Sequence, residues 1–513
     1  MKRAIDYPTY VDKILGAWIG KSVGGTIGAP VEGHKLRMDF CLDDCWPAEI
    51  MPNDDLDIQV VWLELLEEKG PFITSRDLAQ YWQDHCWYNF AEYGSFLYNW
   101  QRGIAPPLSG GFNNKWFRES MGCPIRSEIW GVICPGNPEL AAHYARQDGQ
   151  LDHIRTSVYA ESFLAAAAAE AFFCTTVEEC LDAGLAVIPE DSELAEVTRE
   201  VELLCECATD WRQAWTDIIR RWGHRDCSKA ITNQALLQMA LRLGEGDFDQ
   251  TLLISLNSGW DTDCTAATVG ALLGILIGGE AIPAHWKERL GDRLACDVEV
   301  AHKTSLLSEF SEDTARVGVE VTLARSPLVE ITSAPLVHVR WPEVSEVELN
   351  IAYLGAPTLW ADRTTDVEVL VENNGGRKQG VLSLTPPEGV RVSPQQVELE
   401  LAEGESQVVG FTVGRREGAS PLMDKNLFDL RWEGEGATLL TFGLAGARQW
   451  TLYGPYWDIY DIEQYGEVCP FHNAEVKQNP NLAGCGRAGS HQYAYLTKPY
   501  LDEAALLVWP LPE

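Results

Sequence analysis

Glycine recurs at every fourth position from Gly16 through Gly20 and Gly24 to Gly28. On a helix that interval puts all four on one face, leaving a stripe without side chains along which another backbone can approach closely. Each glycine costs a helix about 1 kcal/mol relative to alanine, so the stripe needs a packing partner. A second stripe answers that need, because Ala266, Gly270, Gly274 and Gly278 repeat the interval. Packing the two smooth faces together is the economical expectation, and it demands a helical fold around them.

Acidic residues lie just beyond the stripes. Glu32 follows the C-terminal end of the first, and Asp261 and Asp263 open the second. An antiparallel pairing is expected to hold these two ends apart and a crossed or parallel one to bring them closer; the sequence leaves the choice open. A third acidic corner, Asn53-Asp54-Asp55, immediately precedes an amphipathic segment with Ile58, Val61, Trp62, Leu65 and Leu66 on one face. A lone Asp at a helix start is ordinarily an N-cap or a macrodipole partner. Three such corners instead suggest an oxygen-rich set suited to a hard cation, Mg²⁺ or Mn²⁺.

Helical spacing continues from about Asp12 to Glu312, including the alanine run Ala165 to Ala169, which predicts an all-α domain over residues 1–315. After about Val317 the period changes to two, first in Val319, Val321 and Leu323, then in Val367, Val369 and Val371, then in Val397, Leu399 and Leu401. Residues 316–340 are accordingly expected to form a connecting strand or linker. Asn374-Gly375 signals a hairpin, and Pro386, Pro387, Gly389 and Gly404 mark further reversals. Short strands at this density predict an immunoglobulin-like β-sandwich over residues 341–446. The segment 447–513 is expected to be a mixed or β region. Its Trp450, Tyr453, Tyr456, Trp457 and Tyr460 suit an interdomain seam better than a carbohydrate-stacking surface, the alternative.

A chain of 513 residues exceeds the about 250 to 300 at which single cores stop growing. Its 76 Asp and Glu against 40 Lys and Arg give a formal charge of -36, which repels nucleic acid and anionic membranes. An anionic substrate would need local compensation, which bound metal supplies. No signal peptide follows Lys2 and Arg3. The apolar stretches 14–31 and 264–278 fail as membrane spans, one being interrupted by Lys21 and the other too short. Fourteen cysteines without a CxxC pair read as reduced thiols of a soluble cytoplasmic protein, and no Cys and His set has zinc-finger or ribbon spacing.

Three stretches together resemble the ADP-ribosylglycohydrolases, the family of the dinitrogenase reductase-activating glycohydrolase. GAWIGKSVGGTIGAPVEG, residues 16–33, is similar to that family's opening helix and its Gly-Ala-Pro-x-Glu ending. NDDLDIQVVW, residues 53–62, resembles its Thr-Asp-Asp-Thr helix start, and SGWDTDCTAATVGALLGILIG, residues 258–278, its Gly-x-Asp-Thr-Asp-Thr helix. The resemblance covers about residues 11–300. It implies an all-α domain and a binuclear Mg²⁺ centre, with Mn²⁺ as the alternative ion. The ligands so implied are Asp54, Asp55, Asp261 and Asp263, with Asn53 and Cys264 where the family has Thr. Glu32, Asp55 and Asp261 then stand beside the reacting centre. Leu56 also replaces a family Thr, and the Cys264 thiol is a soft ligand for a hard ion.

The implied activity is hydrolysis of the glycosidic bond of ADP-ribose on a protein or a small molecule. A glycosidase on another sugar conjugate and a non-catalytic binding member of the family are the competing readings. Weaker substrate candidates are Gly110 and Gly111 in GGFNN, Ser127 in IRSEIWG, and His153, although a lone His is more often structural. Trp87, Tyr88, Phe90 and Tyr93 offer rings for an adenine, yet aromatics at helical spacing more often fill a core.

Overall fold

The computed structural model describes residues 2–451 and 506–510, except 115, 343–344, 361–362, 420–422 and 424. Two compact units emerge, one of residues 1–88 and 116–341 and the other of residues 89–115 and 342–513.

The first unit is helical. Its opening helix, Tyr7–Gly28, begins where Asp6 accepts the Thr9 N–H, and it lies against the helix Thr262–Ile277 along the two stripes. A Cβ added to Gly16 would stand 2.1 Å from the Gly274 carbonyl oxygen, one on Gly20 1.9 Å from that of Gly270, and one on Gly24 2.1 Å from that of Ala266. Backbone therefore meets backbone, which offsets the cost of the glycines. The contacts descend one helix as they ascend the other, so the pair is antiparallel. That corrects the expectation that an antiparallel pair would separate the acids. The C-terminal end of one helix lies beside the N-terminal end of the other, and Gly28 packs against Thr262 and Asp263.

A second correction concerns Val319, Val321 and Leu323, which belong to the helix Leu307–Arg325 and not to a strand. Every residue from Val317 to Thr322 is buried, Gly318 lying directly on the Tyr10 hydroxyl. Six consecutive buried residues hide the 3.6-residue period there, so a chance alternation of valines imitated a strand, while Leu323 stands exposed just beyond them. The region does hold one strand, β2 (Val329–Thr332), which pairs in parallel with β1 (Arg3–Asp6) from Arg3↔Val329 to Asp6↔Thr332.

The second unit contains β3 (Val347–Tyr353), β4 (Thr358–Trp360), β5 (Thr365–Asn373), β6 (Lys378–Thr385), β7 (Val390–Ser393), β8 (Gln396–Leu401), β9 (Ser406–Arg415), β10 (Lys425–Gly434), β11 (Thr438–Thr451) and β12 (Leu506–Pro510). One sheet runs β3-β5-β9-β7; the other runs β12-β11-β10-β6-β8, with β4 parallel to β11. Alternate residues of both, such as Val367, Val369, Phe411, Leu382, Leu430 and Phe442, fill one hydrocarbon cluster. Asn374-Gly375 is not a hairpin: β5 and β6 lie in different sheets. The Asn373 side chain makes the turn, accepting the Gly375 N–H and donating to the Gly376 and Ala402 carbonyls. Turn chemistry reverses the chain, and the apolar faces decide which sheet it joins.

Residues 89–115, with the helices Ala91–Gln101 and Leu108–Gly111, group with these strands. Gly443 of β11 donates its N–H to Gly103 at 2.8 Å, leaving no room for a side chain at either position. The side chains of the aromatic tail from Trp450 to Tyr460 lie outside the described residues. Among the described residues no helix is long and apolar enough to cross a membrane, and the cysteines are free thiols.

Candidate functional site

Three acidic corners meet at the end of the glycine stripes. The loop after the first helix is zipped to the turn before Asp261: Gly33 donates to the Trp260 carbonyl at 2.8 Å, and Trp260 donates to that of His34 at 3.0 Å. Gly259 makes this possible, with φ of +71° and no space for a Cβ between the His34 and Leu36 carbonyls. Thr262 Oγ1 then donates to the Gly28 carbonyl at 2.8 Å. Glu32 and Asp261 are neighbours for these reasons. The third corner opens the helix Asp54–Lys69, where Asn53 Oδ1 caps the Asp55 N–H at 2.9 Å and Asn53 Nδ2 reaches Asp263 Oδ2 at 3.5 Å. The Asn53 amide oxygen is thus engaged in capping.

Two sets of ligand atoms result, each within a 4.8 Å span: Glu32, Asp261 and Asp263, and Asp55, Asp263 and Cys264. Asp263 belongs to both. Both carboxylate oxygens of Asp55, and Oδ1 of Asp263, are buried without a hydrogen-bond partner. Buried carboxylates that accept no hydrogen bond are costly unless a cation meets them. The donor chemistry therefore fits a divalent ion.

The electrostatics agree. Glu32 keeps an exposed edge, yet the Asp263 charge, burial and Asp54 push its carboxyl up to about 8. Burial, then the Asp263 and Glu32 charges, hold Asp261 well above the usual carboxylate range. Burial raises Asp55 strongly, with Asp263 and Asp54 adding to it and Lys21 opposing it. Two helix starts point their positive ends at the cluster and relieve part of this repulsion.

Lys21 is the feature the sequence reading missed. Its side chain is 1% exposed, and its ammonium donates to the Ile125 carbonyl at 2.6 Å and to Glu128 at 3.1 Å, 3.7 Å from Asp55 Oδ2. Burial works against that charge, but Glu128 and Asp55 outweigh it and hold the pKa above the ordinary lysine value. Gln59 completes the arrangement, donating to Glu128 at 3.0 Å and accepting the Ile129 N–H at 2.7 Å. The signal was visible as a lone cation inside an apolar, glycine-striped helix, which must be paired somewhere. A narrow cavity lined by Lys21, Asn53, Asp55, Leu56 and Arg293 runs beside the cluster.

Ser127 and His153 are fully buried. His153 lies between Ser120 Oγ at 3.0 Å and Asp152 at 2.7 Å, in the order of a hydrolytic triad. Ser120, however, is 2% exposed and donates to the Phe117 carbonyl at 2.7 Å. The array joins Arg126, which forks onto Asp152 and also meets Asp148. Gly110 and Gly111 belong to the second unit. Tyr88 is buried with its hydroxyl donating to Asp57 at 2.7 Å, Phe90 stacks edgewise on buried Tyr93, and Trp87 is exposed.

Comparison with known proteins adds the following. A family model described as ADP-ribosylglycohydrolase matches residues 6–316. An uncharacterized protein of Archaeoglobus fulgidus is 25% identical over 303 residues, which are 55% of this chain and 92% of that protein. Among solved structures, an ADP-ribosylglycohydrolase-related protein complex is 21% identical with a TM-score of 0.43, covering 61% of this chain and 99% of its own. A PapD-like domain of human CEP192 is 17% identical with a TM-score of 0.16, covering 23% of this chain and 94% of its own.

Proposed function

The chain belongs to the ADP-ribosylglycohydrolase family, and from that premise we propose that residues 1–315 are a metal-dependent hydrolase of the glycosidic bond of ADP-ribose conjugates, on protein or on a small molecule. Family membership supports a glycohydrolase-type activity. The observation that carries the finer reading is the Asp263 carboxylate shared between two donor sets, beside buried Asp55 oxygens that accept no hydrogen bond, Oδ2 lying 3.7 Å from the Lys21 ammonium.

In this reading Asp54, Asp55, Asp261 and Asp263 hold two divalent cations, Mg²⁺ or Mn²⁺, with Asn53 at the edge of the set. Bound there, the cations supply Lewis-acid polarisation and a more acidic water. Glu32, the exposed member, is the group positioned to exchange a proton at the scissile bond. Asp55 and Asp261 stand beside it, and their carboxylates favour the positive charge that a ribosyl centre develops as its bond breaks. Lys21 fixes Asp55 in place and tempers its charge.

The helix Leu307–Arg325 and β2 carry the helical unit on to residue 341, and for the β-rich unit that follows we propose an immunoglobulin-like sandwich over 341–446. A contact between carbohydrate and residues 341–513 remains part of the proposal. Free buried thiols support a reducing, cytoplasmic setting. A second reading, hydrolysis of a different ribosyl or sugar conjugate, is favoured by Cys264 and Leu56, which make the centre softer and less polar than the family pattern.

Isothermal titration of ADP-ribose with Mg²⁺ or Mn²⁺, repeated after chelation, tests the first reading, which expects metal-dependent binding. Absence of binding with either ion passes the lead to the second, which product analysis then identifies. Asp54→Asn and Asp261→Asn should each abolish hydrolysis while the protein stays folded, and full activity in both would sink the mechanism.

A further inference from the structure

We propose that Cys264, with Asp55 and Asp263, forms a cation position that selects a borderline ion such as Zn²⁺, Co²⁺ or Fe²⁺ over Mg²⁺, distinct from the oxygen-only position of Glu32, Asp261 and Asp263. The proposal rests on the metal-dependent reading above.

Cys264 sits in the first turn of the helix Thr262–Ile277, one residue after Asp263. Its sulfur lies within 4.8 Å of carboxylate oxygens of Asp55 and Asp263, and all three residues are buried. A buried free cysteine ordinarily packs as a small hydrophobe among apolar neighbours. This one hydrogen-bonds to Asp261 and faces the carboxylates of Asp55 and Asp263, three of whose four oxygens have no hydrogen-bond partner. Such surroundings suit a thiolate shared with those oxygens by one cation.

Ligand chemistry supplies the preference. The Lys21 ammonium is held by Glu128 at 3.1 Å and by the Ile125 carbonyl, and stands 3.7 Å from Asp55 Oδ2. Glu128 balances its charge, so Asp55 and Asp263 already offer two negative charges to a divalent ion. A thiolate adds softness, which a hydroxyl at this position would not. On coordination the S–H bond breaks as the sulfur–metal bond forms, and the proton leaves to solvent. Thiolate softness then sets the preference, since Mg²⁺ takes oxygen ligands whereas Zn²⁺ and its neighbours accept sulfur. Finger or ribbon spacing plays no part in this position; two helix starts assemble the ligands.

The test titrates Co²⁺ alone into the chelated full-length protein and follows the near-ultraviolet sulfur-to-cobalt charge-transfer band, with calorimetric stoichiometry in parallel. The expected result is a charge-transfer band that saturates with one equivalent and is absent from Cys264→Ser. Cys264→Thr should shift the Mg²⁺ to Co²⁺ affinity ratio towards Mg²⁺ by about tenfold or more, with unchanged circular dichroism as the check on folding. Cobalt binding without that band, the same band in Cys264→Ser, or an unchanged ratio in Cys264→Thr would overturn the thiolate position while leaving the oxygen-only position intact. No binding of Co²⁺, Mn²⁺ or Mg²⁺ at all would overturn the metal-dependent reading itself.

Discussion

The central cluster of the β-rich unit is hydrocarbon throughout, from Val347 on β3 to Leu444 on β11. The helical unit instead buries Lys21, Asp55, Arg126, Asp148, Asp152, His153, Glu161 and Asp263 among its apolar side chains. Transfer of apolar area from water is enough to hold the first interior together. The second carries a desolvation cost that hydrocarbon would have avoided. It divides further into a network centred on Arg126, whose guanidinium is met by Asp148 and Asp152, and a cluster centred on Asp55 and Asp263, where several carboxylates share Lys21. Balanced burial positions elements, and an excess of buried carboxylate marks a place for a cation.

The contrast is broken most directly at Arg126. Its guanidinium is 0% exposed and joins Asp148 at 2.9 Å and Asp152 at 2.9 Å. Arg126→Met leaves both carboxylates uncompensated, so a loss of about 3 to 5 kcal/mol is expected in the helical unit's unfolding transition by urea titration. A loss under about 1 kcal/mol would mean that solvent reaches the network. The matching change in the other unit is Leu430→Ala. It removes buried methyl groups from the β10 face and should cost about 2 to 5 kcal/mol without altering cation affinity. A change in calorimetric cation binding there would show that the two interiors are not independent.

These interiors were unequally legible in the sequence. The strands announced themselves because period-two burial along Val367, Val369 and Val371 is a one-dimensional pattern. The glycine stripes were legible for the same reason, a fixed interval serving a fixed contact. Val319 and Val321 misled because complete burial erases the helical period. Asn374-Gly375 gave the reversal correctly, but its consequence depends on which sheet has a vacant edge, and that is a property of the whole domain. The acidic corners could be nominated one by one. What Lys21 and Glu128 do could not be read off, because they lie 107 positions apart and only the fold sets their distance.

Acid should sharpen the contrast further, since the hydrocarbon cluster has nothing to titrate. Burial alone would raise the Asp152 carboxyl, but Arg126 and His153 outweigh it and hold it down at about 2. A carboxyl depressed in the fold stabilises it above its unfolded value, about 3.9, and that stability, about 2 kcal/mol, drains away as pH falls towards 2. Glu161 contributes with the opposite sign. Burial and the Asp148 charge hold it well above its ordinary value, so the fold gains stability as pH falls from neutrality towards about 4. The unfolding temperature of the helical unit should therefore rise and then fall on acidification. In Glu161→Gln the rise should diminish and the fall remain, and an unaltered rise would remove Glu161 from the account.

The smallest expected effect on the fold is at the cluster with excess negative charge. Asp263 is raised chiefly by burial and has Glu32, Asp261 and Asp55 for neighbours. Replacing it with Asn takes away a like charge among Glu32, Asp261 and Asp55 and leaves an oxygen that still accepts the Cys264 backbone N–H. The metal-free unfolding temperature of Asp263→Asn should stay level or rise slightly, the reverse of Arg126→Met. Its response to cation should vanish, whereas the parent protein gains about 2.7 kcal/mol at a cation concentration near 100 times Kd. If Asp263→Asn instead unfolds like Arg126→Met, the cluster belongs with the positioning network, and the division between balanced and excess charges fails.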